Sequence, residues 1–108
     1  MSCLTSLYIS SSIFKKFINW QVFEKVFIPQ ARAFRPELIL ISAGFDAHRD
    51  DPLASLDLTE HSYVEMTRRL KEIAKDCANE RIVSVLEGGY NLEALARSVE
   101  AHLRTLME

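Results

Sequence analysis

The sequence predicts an α/β fold with parallel strands, because two aliphatic runs alternate with two amphipathic segments. The first run, ELILIS at residues 37–42, has no polar alternation, which is typical of a strand covered on both faces. The second, RIVSVL at residues 81–86, is rich in β-branched residues, which favour strands. Strand, helix, strand and helix with short connections form a βαβα unit, in which a right-handed crossover makes the two strands parallel.

A further helix is predicted before the first strand. Between residues 13 and 34 the apolar positions recur at spacings of three and four, as in an amphipathic helix: Phe23, Val26, Phe27, Ala31 and Phe34. Pro29 must kink this helix or mark a restart, since proline lacks a backbone donor. Residues 1–12 show no clear period. We therefore expect residues 1–20 to form a divergent or loosely ordered segment, and residues 21–108 to form the α/β segment.

The later helices carry recognisable start and stop signals. Pro36 favours an extended entry into the first strand. Thr59 can cap the second helix and Asn79 can end it, while Asn91 can cap the third. The predicted apolar stripe of the second helix is Tyr63, Met66, Leu70, Ile73, Ala74 and Cys77. That of the third is Leu92, Leu95, Ala96, Val99, Leu103 and Leu106.

Composition limits the class of protein. A chain of 108 residues with 48% hydrophobic and 26% charged residues is typical of one globular domain. Its net charge of −2 with scattered Lys and Arg gives no basic patch, so we expect no direct nucleic-acid partner. No apolar run reaches the roughly 20 residues of a membrane span. Cys3 and Cys77 form no disulfide framework, which favours a soluble protein in a reducing, intracellular and cytoplasmic setting.

Two loops should meet at one edge of the sheet, because parallel strands bring their carboxyl ends together there. The first loop is AGFDAHRDDPL, in which Gly44 allows a sharp turn and leaves Asp46 near the strand end. Asp46 is either a metal ligand or a turn residue. His48 could chelate the same ion, although it and the pair Asp50 and Asp51 also fit a solvated loop.

The second loop, EGGYN at residues 87–91, presents Tyr90 after two glycines. It is either a tight turn over which Tyr90 packs, or a rigid mount for a neutral hydroxyl that stabilises an oxyanion. A phosphate cradle is less well supported, because the Lys and Ser or Thr of a P-loop are missing.

Two longer segments carry a family resemblance: FRPELILISAGFDAHRDDPLASLDLT and IVSVLEGGYNLEALARSV. Together they resemble the C-terminal part of the zinc-dependent histone deacetylase superfamily, in particular its class II and acetylpolyamine amidohydrolase-like branch. The resemblance spans roughly residues 23–106. It implies a partial arginase-like three-layer α/β/α sandwich around a parallel sheet.

The resemblance also implies roles for three residues. Asp46 matches a zinc ligand, Tyr90 matches the donor to the oxyanion in amide hydrolysis, and Leu53 matches a wall of the acyl-lysine channel. It implies Zn²⁺ as the cofactor and an acetyl-lysine or acetylpolyamine type substrate. His48 matches a position that the family does not use as a ligand.

The family's remaining site residues are missing from the sequence. Members take two more zinc ligands from an upstream Asp-x-His segment and their general base from a His-His pair. This chain has no adjacent His pair, and its only Asp-x-His begins at Asp46. We therefore expect the C-terminal portion of a deacetylase, incomplete and inactive alone. The alternatives are a non-catalytic α/β interaction module, or an enzyme completed by homo-oligomerisation or a partner chain that covers the open sheet edges.

Overall fold

The sheet has three parallel strands in the order β1, β2, β3. A computed structural model describes residues 6–10, 20–45, 48–50 and 58–108. Within them β1 spans Ser6–Ser10, β2 spans Leu38–Gly44 and β3 spans Ile82–Gly88. The predicted α/β class with parallel strands is confirmed.

Strand β1 was not expected from the sequence, which predicted loose order for this segment. Ser6 pairs with Leu38 and Ser10 pairs with Ser42, so the five residues of β1 add to the edge of β2. A strand this short is stabilised by backbone hydrogen bonds to its neighbour, and such pairing leaves no periodic signal in its own sequence.

Helix α1 consists of three consecutive segments: Trp20–Val22 (α), Phe23–Phe27 (π) and Ile28–Phe34 (α). Residues 13–19 of the predicted helix lie outside the described residues. The helix continues through Pro29, and the irregularity lies in the turn before it, where the Ile28 N–H donates to the Phe23 carbonyl. Such a bond spans five residues and widens the turn, which accommodates the proline ring and its missing donor.

Helix α2 (Glu60–Cys77) follows the prediction closely. Thr59 is its N-cap residue, and its backbone N–H donates to the Ser62 hydroxyl at 3.2 Å. After the helix, Asn79 takes a left-handed φ of 50°. The predicted stripe is buried from Tyr63 to Ala74, and Cys77 is half-buried.

Helix α3 (Leu92–Met107) starts where predicted but buries a different face. Its buried residues are Ala94, Ser98, His102 and Thr105, whereas Leu92 of the predicted stripe is 78% exposed. The predicted stripe is therefore correct only in part: Leu95 and Val99 are half-buried and pack against the core. His102 hydrogen-bonds to Thr67 of α2 and to Ser84 of β3, so polar contacts help to define the buried face of α3.

The core lies on one face of the sheet. Ile39 and Ile41 of β2 share one buried cluster with Phe23 of α1 and with Leu70 and Ile73 of α2. On β3, Ser84 faces this side and hydrogen-bonds to His102 of α3. The described residues thus supply two layers of the three that the resemblance implied.

The opposite face of β3 is open. Side chains alternate along a strand, so Val83 and Val85 lie opposite Ser84, where they are 48% and 57% exposed. We call these two valines the outer face.

Candidate functional site

The strand ends that lead into the two predicted site loops are joined by a hydrogen bond. The Phe45 N–H, directly before Asp46, donates to the carbonyl of Gly88 at 2.8 Å. Gly88 ends β3, two residues before Tyr90. The hydrogen bond therefore joins the backbones that lead into both loops, as expected for the carboxyl ends of neighbouring parallel strands.

Gly89 is required by the close approach of these loops. Its φ of +142° is a conformation that L side chains rarely adopt, and a Cβ added there would lie 2.7 Å from Leu95 Cδ1 and 3.5 Å from Phe45 Cβ. The residue before Tyr90 is thus packed between α3 and the residue before Asp46.

Tyr90 follows at the carboxyl edge of the sheet and is 57% exposed. More than half of this residue is therefore accessible to solvent at this edge. Asn91 then begins α3, and its side chain accepts a hydrogen bond from the Ala94 N–H at 2.9 Å. The start of α3 thereby fixes the backbone on the C-terminal side of Tyr90.

Asp46 and Leu53, the predicted zinc ligand and channel wall, lie outside the described residues. The residues on either side of Asp46 and Ala47 are described, and both are buried: Phe45 is 3% exposed and His48 is 1% exposed. The His48 N–H donates to the Phe45 carbonyl at 3.3 Å. The ends of this short segment are therefore anchored.

The interpretation of His48 as part of a solvated loop is wrong. Its Nδ1 accepts a hydrogen bond from the Asp50 N–H at 3.0 Å, and its Nε2 lies 3.3 Å from Glu60 Oε1. Its burial depends on contacts with a helix that begins after the loop, and no local pattern around residue 48 reveals these contacts.

Charged side chains extend from His48 to α3. Arg97 Nε donates to Glu60 Oε1 at 2.5 Å, and another guanidinium nitrogen donates to Asp50 Oδ2 at 3.1 Å. The bond from Arg97 is the main cause that lowers the pKa of Glu60 from 4.5 to about 2. We call His48, Asp50, Glu60 and Arg97 the His48 network.

His102 is a second buried imidazole that the sequence placed among polar helix neighbours. A cavity of about 30 Å³ beside it is lined by residues from β2, α2 and α3. This volume is of the order of one water molecule. His102 hydrogen-bonds to Thr67 and Ser84, which gives this imidazole a structural role.

The described residues do not fit a zinc ion by themselves. Within residues 20–45, 48–50 and 58–108, no group of three or more His, Cys, Asp or Glu side chains is placed to hold a metal. A hydrolytic zinc site needs about three protein ligands and an open position for water. No catalytic step through a metal can be derived from this part of the chain.

None of the described helices is both long enough and apolar enough to cross a bilayer.

Comparisons with known proteins agree on one family. The family model for the histone deacetylase domain matches residues 14–106, which includes the last residues of the segment predicted to be divergent. The chain is 52% identical over 83 residues to type-2 histone deacetylase 1 of Dictyostelium discoideum, covering 77% of this chain and 6% of that relative. It is 46% identical over 86 residues to histone deacetylase 14, chloroplastic, of Arabidopsis thaliana, covering 80% of this chain and 20% of that relative.

Solved structures give the same result. The HD domain of HDA15 superposes with a TM-score of 0.73 and 34% identity, over 92% of this chain and 26% of that one. The histone deacetylase Clr3 superposes with a TM-score of 0.72 and 29% identity, over 94% of this chain and 16% of that one. The chain thus spans a fifth or less of the two curated relatives and about a quarter or less of the two structures.

Proposed function

Since this chain belongs to the histone deacetylase family, we propose that it forms the C-terminal part of a deacetylase active site and is inactive alone. The reaction is hydrolysis of an amide in an acetyl-lysine or acetylpolyamine type substrate. The family is generally zinc-dependent. Within it, this chain contributes Tyr90, Asp46 and Leu53.

The observation that carries this proposal is the hydrogen bond between Phe45 and Gly88, 2.8 Å long. It joins Phe45, directly before Asp46 in the sequence, to Gly88, two residues before Tyr90. Residues that act on one reacting carbonyl must be positioned together, and this bond supports such an arrangement.

Tyr90 is proposed as the oxyanion donor. When water attacks an amide carbonyl, its oxygen gains negative charge, and a hydroxyl positioned beforehand stabilises that charge. The exposure of Tyr90 at the sheet edge is compatible with contact to substrate. Removal of one such donor typically lowers the rate by about 10²–10³-fold.

Asp46 is proposed as one ligand of the zinc ion and Leu53 as a wall of the channel for the acyl chain. One carboxylate does not complete a hydrolytic metal site, and the chain lacks the family's Asp-x-His ligand segment and His-His base. The remaining ligands and the base must come from residues outside this sequence. This requirement is the reason that the chain should be inactive alone.

A second candidate function is a non-catalytic interaction module, which the exposed outer face favours. Val83 and Val85 form an apolar surface that another chain or a second copy would cover. Such a module would not depend on Asp46 or Tyr90.

The cytoplasmic setting that was expected from the sequence stays a prediction.

A chimera tests the proposed function. Residues 23–106 would replace the matching segment of type-2 histone deacetylase 1, with which the chain shares 52% identity over 83 residues. We expect the chimera to deacetylate an acetyl-lysine peptide. Tyr90→Phe should lower kcat by about 10²-fold or more while zinc content is kept, and Asp46→Ala should lower zinc content as well as activity.

His61→Ala is the matched control, because His61 is exposed on α2, and it should leave both measurements unchanged. Activity that survives Tyr90→Phe and Asp46→Ala would contradict the proposed roles. Zinc-dependent turnover by the 108-residue chain alone would contradict the proposal that it is incomplete.

A further inference from the structure

We propose that His48 is a positioning residue: the hydrogen bond that its Nδ1 accepts fixes the backbone of residues 48–50, which follow Asp46 and Ala47 directly in the sequence. The catalytic relevance of this role rests on the proposed function, because it assumes that Asp46 binds the metal. The hydrogen bond between His48 and Asp50 does not depend on that assumption.

The backbone on both sides of His48 is tied down. Its own N–H donates to the Phe45 carbonyl at 3.3 Å. On the other side, the Asp50 N–H donates to His48 Nδ1 at 3.0 Å, and the Arg49 N–H donates to the Leu58 carbonyl at 2.9 Å. The imidazole thus substitutes for a backbone acceptor within the loop.

The two ring nitrogens of His48 contribute unequally. Nδ1 accepts a regular hydrogen bond, so the neutral ring carries its proton on Nε2. Nε2 lies 3.3 Å from Glu60 Oε1 but does not form a well-aligned hydrogen bond. A well-aligned hydrogen bond contributes more stabilising free energy than a poorly aligned contact. We therefore assign the positioning role to Nδ1.

The rest of the His48 network links this loop to α3. Glu60 begins α2 and pairs with Arg97 of α3, which also reaches Asp50 at 3.1 Å. Helix α3 begins just after Tyr90, so the network connects the loop of Asp46 to the helix that follows Tyr90. Asp50 and Arg97 are each 47% exposed at their side chains. Exposed ion pairs stabilise weakly, so the buried His48 should contribute more than Arg97.

Two conservative variants of the 108-residue chain distinguish the role of His48 Nδ1 from that of Nε2. In His48→Asn the side-chain oxygen can take the place of Nδ1, whereas the amide of His48→Gln reaches the place of Nε2. Hydrogen exchange of the Asp50 amide, followed by NMR, reports the bond directly. We expect about tenfold faster exchange in His48→Gln, corresponding to the loss of one hydrogen bond, and a change below about twofold in His48→Asn.

His61→Gln is the matched control and should leave the exchange of Asp50 unchanged. If His48 only filled space, Gln would serve at least as well as Asn, since it is larger. Equal exchange in the Asn and Gln variants, or slower exchange in Gln, would overturn the proposal. Both variants keep a polar side chain, and comparison of their thermal unfolding with that of the wild-type chain identifies any global loss of folding.

A zinc titration of the wild-type chain tests the proposed function separately. Shifts of the Asp46 amide signal that disappear in Asp46→Asn support the ligand role. Absence of such shifts counts against that role in this chain, while the exchange of the Asp50 amide alone decides the role of His48.

Discussion

At the scale of single residues, His102 shows how one imidazole can join three elements. Its Nδ1 lies 2.9 Å from Thr67 Oγ1 of α2, and its Nε2 lies 2.9 Å from Ser84 Oγ of β3. Thr67 already donates its hydroxyl proton to the Tyr63 carbonyl. His102 Nδ1 must therefore donate to Thr67, and Nε2 accepts from Ser84. The sheet, α2 and α3 meet at this neutral ring.

The stability of the chain should depend on pH through His102. Burial lowers its pKa below the ordinary 6.5, and its described partners, Thr67, Ser84 and the Phe45 ring, are all uncharged. Between the lowered pKa and 6.5 the unfolded state binds more protons, so the free energy of unfolding rises with pH in this window. The stabilisation is complete above 6.5 and is lost as pH falls.

Urea unfolding at several pH values between about 5 and 7.5 measures this dependence. The window lies above the ordinary pKa of glutamate, 4.5, so Glu60 does not titrate within it. His102→Gln should flatten the pH dependence, whereas His61→Gln, at an exposed position, should keep it. An equal slope in wild-type and His102→Gln would refute the assignment.

The candidate site could be predicted only where its residues lie in local motifs. Asp46 and Tyr90 stand in short loops after aliphatic runs, so both were predicted to meet at one sheet edge. His48 and His102 have no such local signal. Their burial depends on partners such as Glu60 and Ser84, which are brought near only by the packing of helices on the sheet.

At the scale of elements, the cap of α3 should contribute measurably to stability. Asn91 accepts a hydrogen bond from the Ala94 N–H at 2.9 Å, and loss of such a cap costs about 1 kcal/mol. Asn91→Ala should therefore lower the free energy of unfolding by about that amount, measured in urea. Asn91→Asp keeps an acceptor beside the helix N-terminus and should be nearly neutral; an equal loss in both variants would argue against capping.

Helix ends were easier to predict than helix faces. Thr59 and Asn91 interact with groups only a few residues away, so their positions in the sequence are sufficient to predict where the helices begin. The buried face of α3 depends on partners on α2 and β3, and it includes Ser98 and His102 beside the half-buried Leu95 of the predicted stripe. In α1, Pro29 indicated an irregularity, but its form as a π-helical turn depends on how the preceding residues pack.

At the scale of the whole molecule, the outer face should drive association. Val83 and Val85 are about half exposed, and paired copies would remove apolar surface from water. Sedimentation equilibrium should therefore show concentration-dependent association of the 108-residue chain. Val83→Thr with Val85→Thr should reduce it, with a change in stability of about 0.5 kcal/mol or less.

Val26→Thr is the control for this experiment, since Val26 is 42% exposed on α1, away from the outer face. It should leave association unchanged. A wild-type chain that stays monomeric at every concentration would contradict the prediction.

The order of the elements from α1 to α3 was predictable, because each run of residues carries its own period. The pairing of β1 with β2 and the open side of β3 were not. Both depend on which surfaces the rest of the fold leaves available, and a single aliphatic run such as residues 37–42 looks the same whether one or both of its faces are covered.

The parallel pairing of the sheet also has a consequence for folding kinetics. Ser6 pairs with Leu38 and Ile39 pairs with Ile82, so each described strand pair is separated along the chain by a complete helix. No described pair of strands forms a local hairpin that could act as an early nucleus. Helices α1 and α2 can begin to form locally, but the sheet must wait for long loops to close, which costs entropy and slows folding. Strand β3 and the loop that bears Tyr90 should therefore be among the last parts to reach their native arrangement.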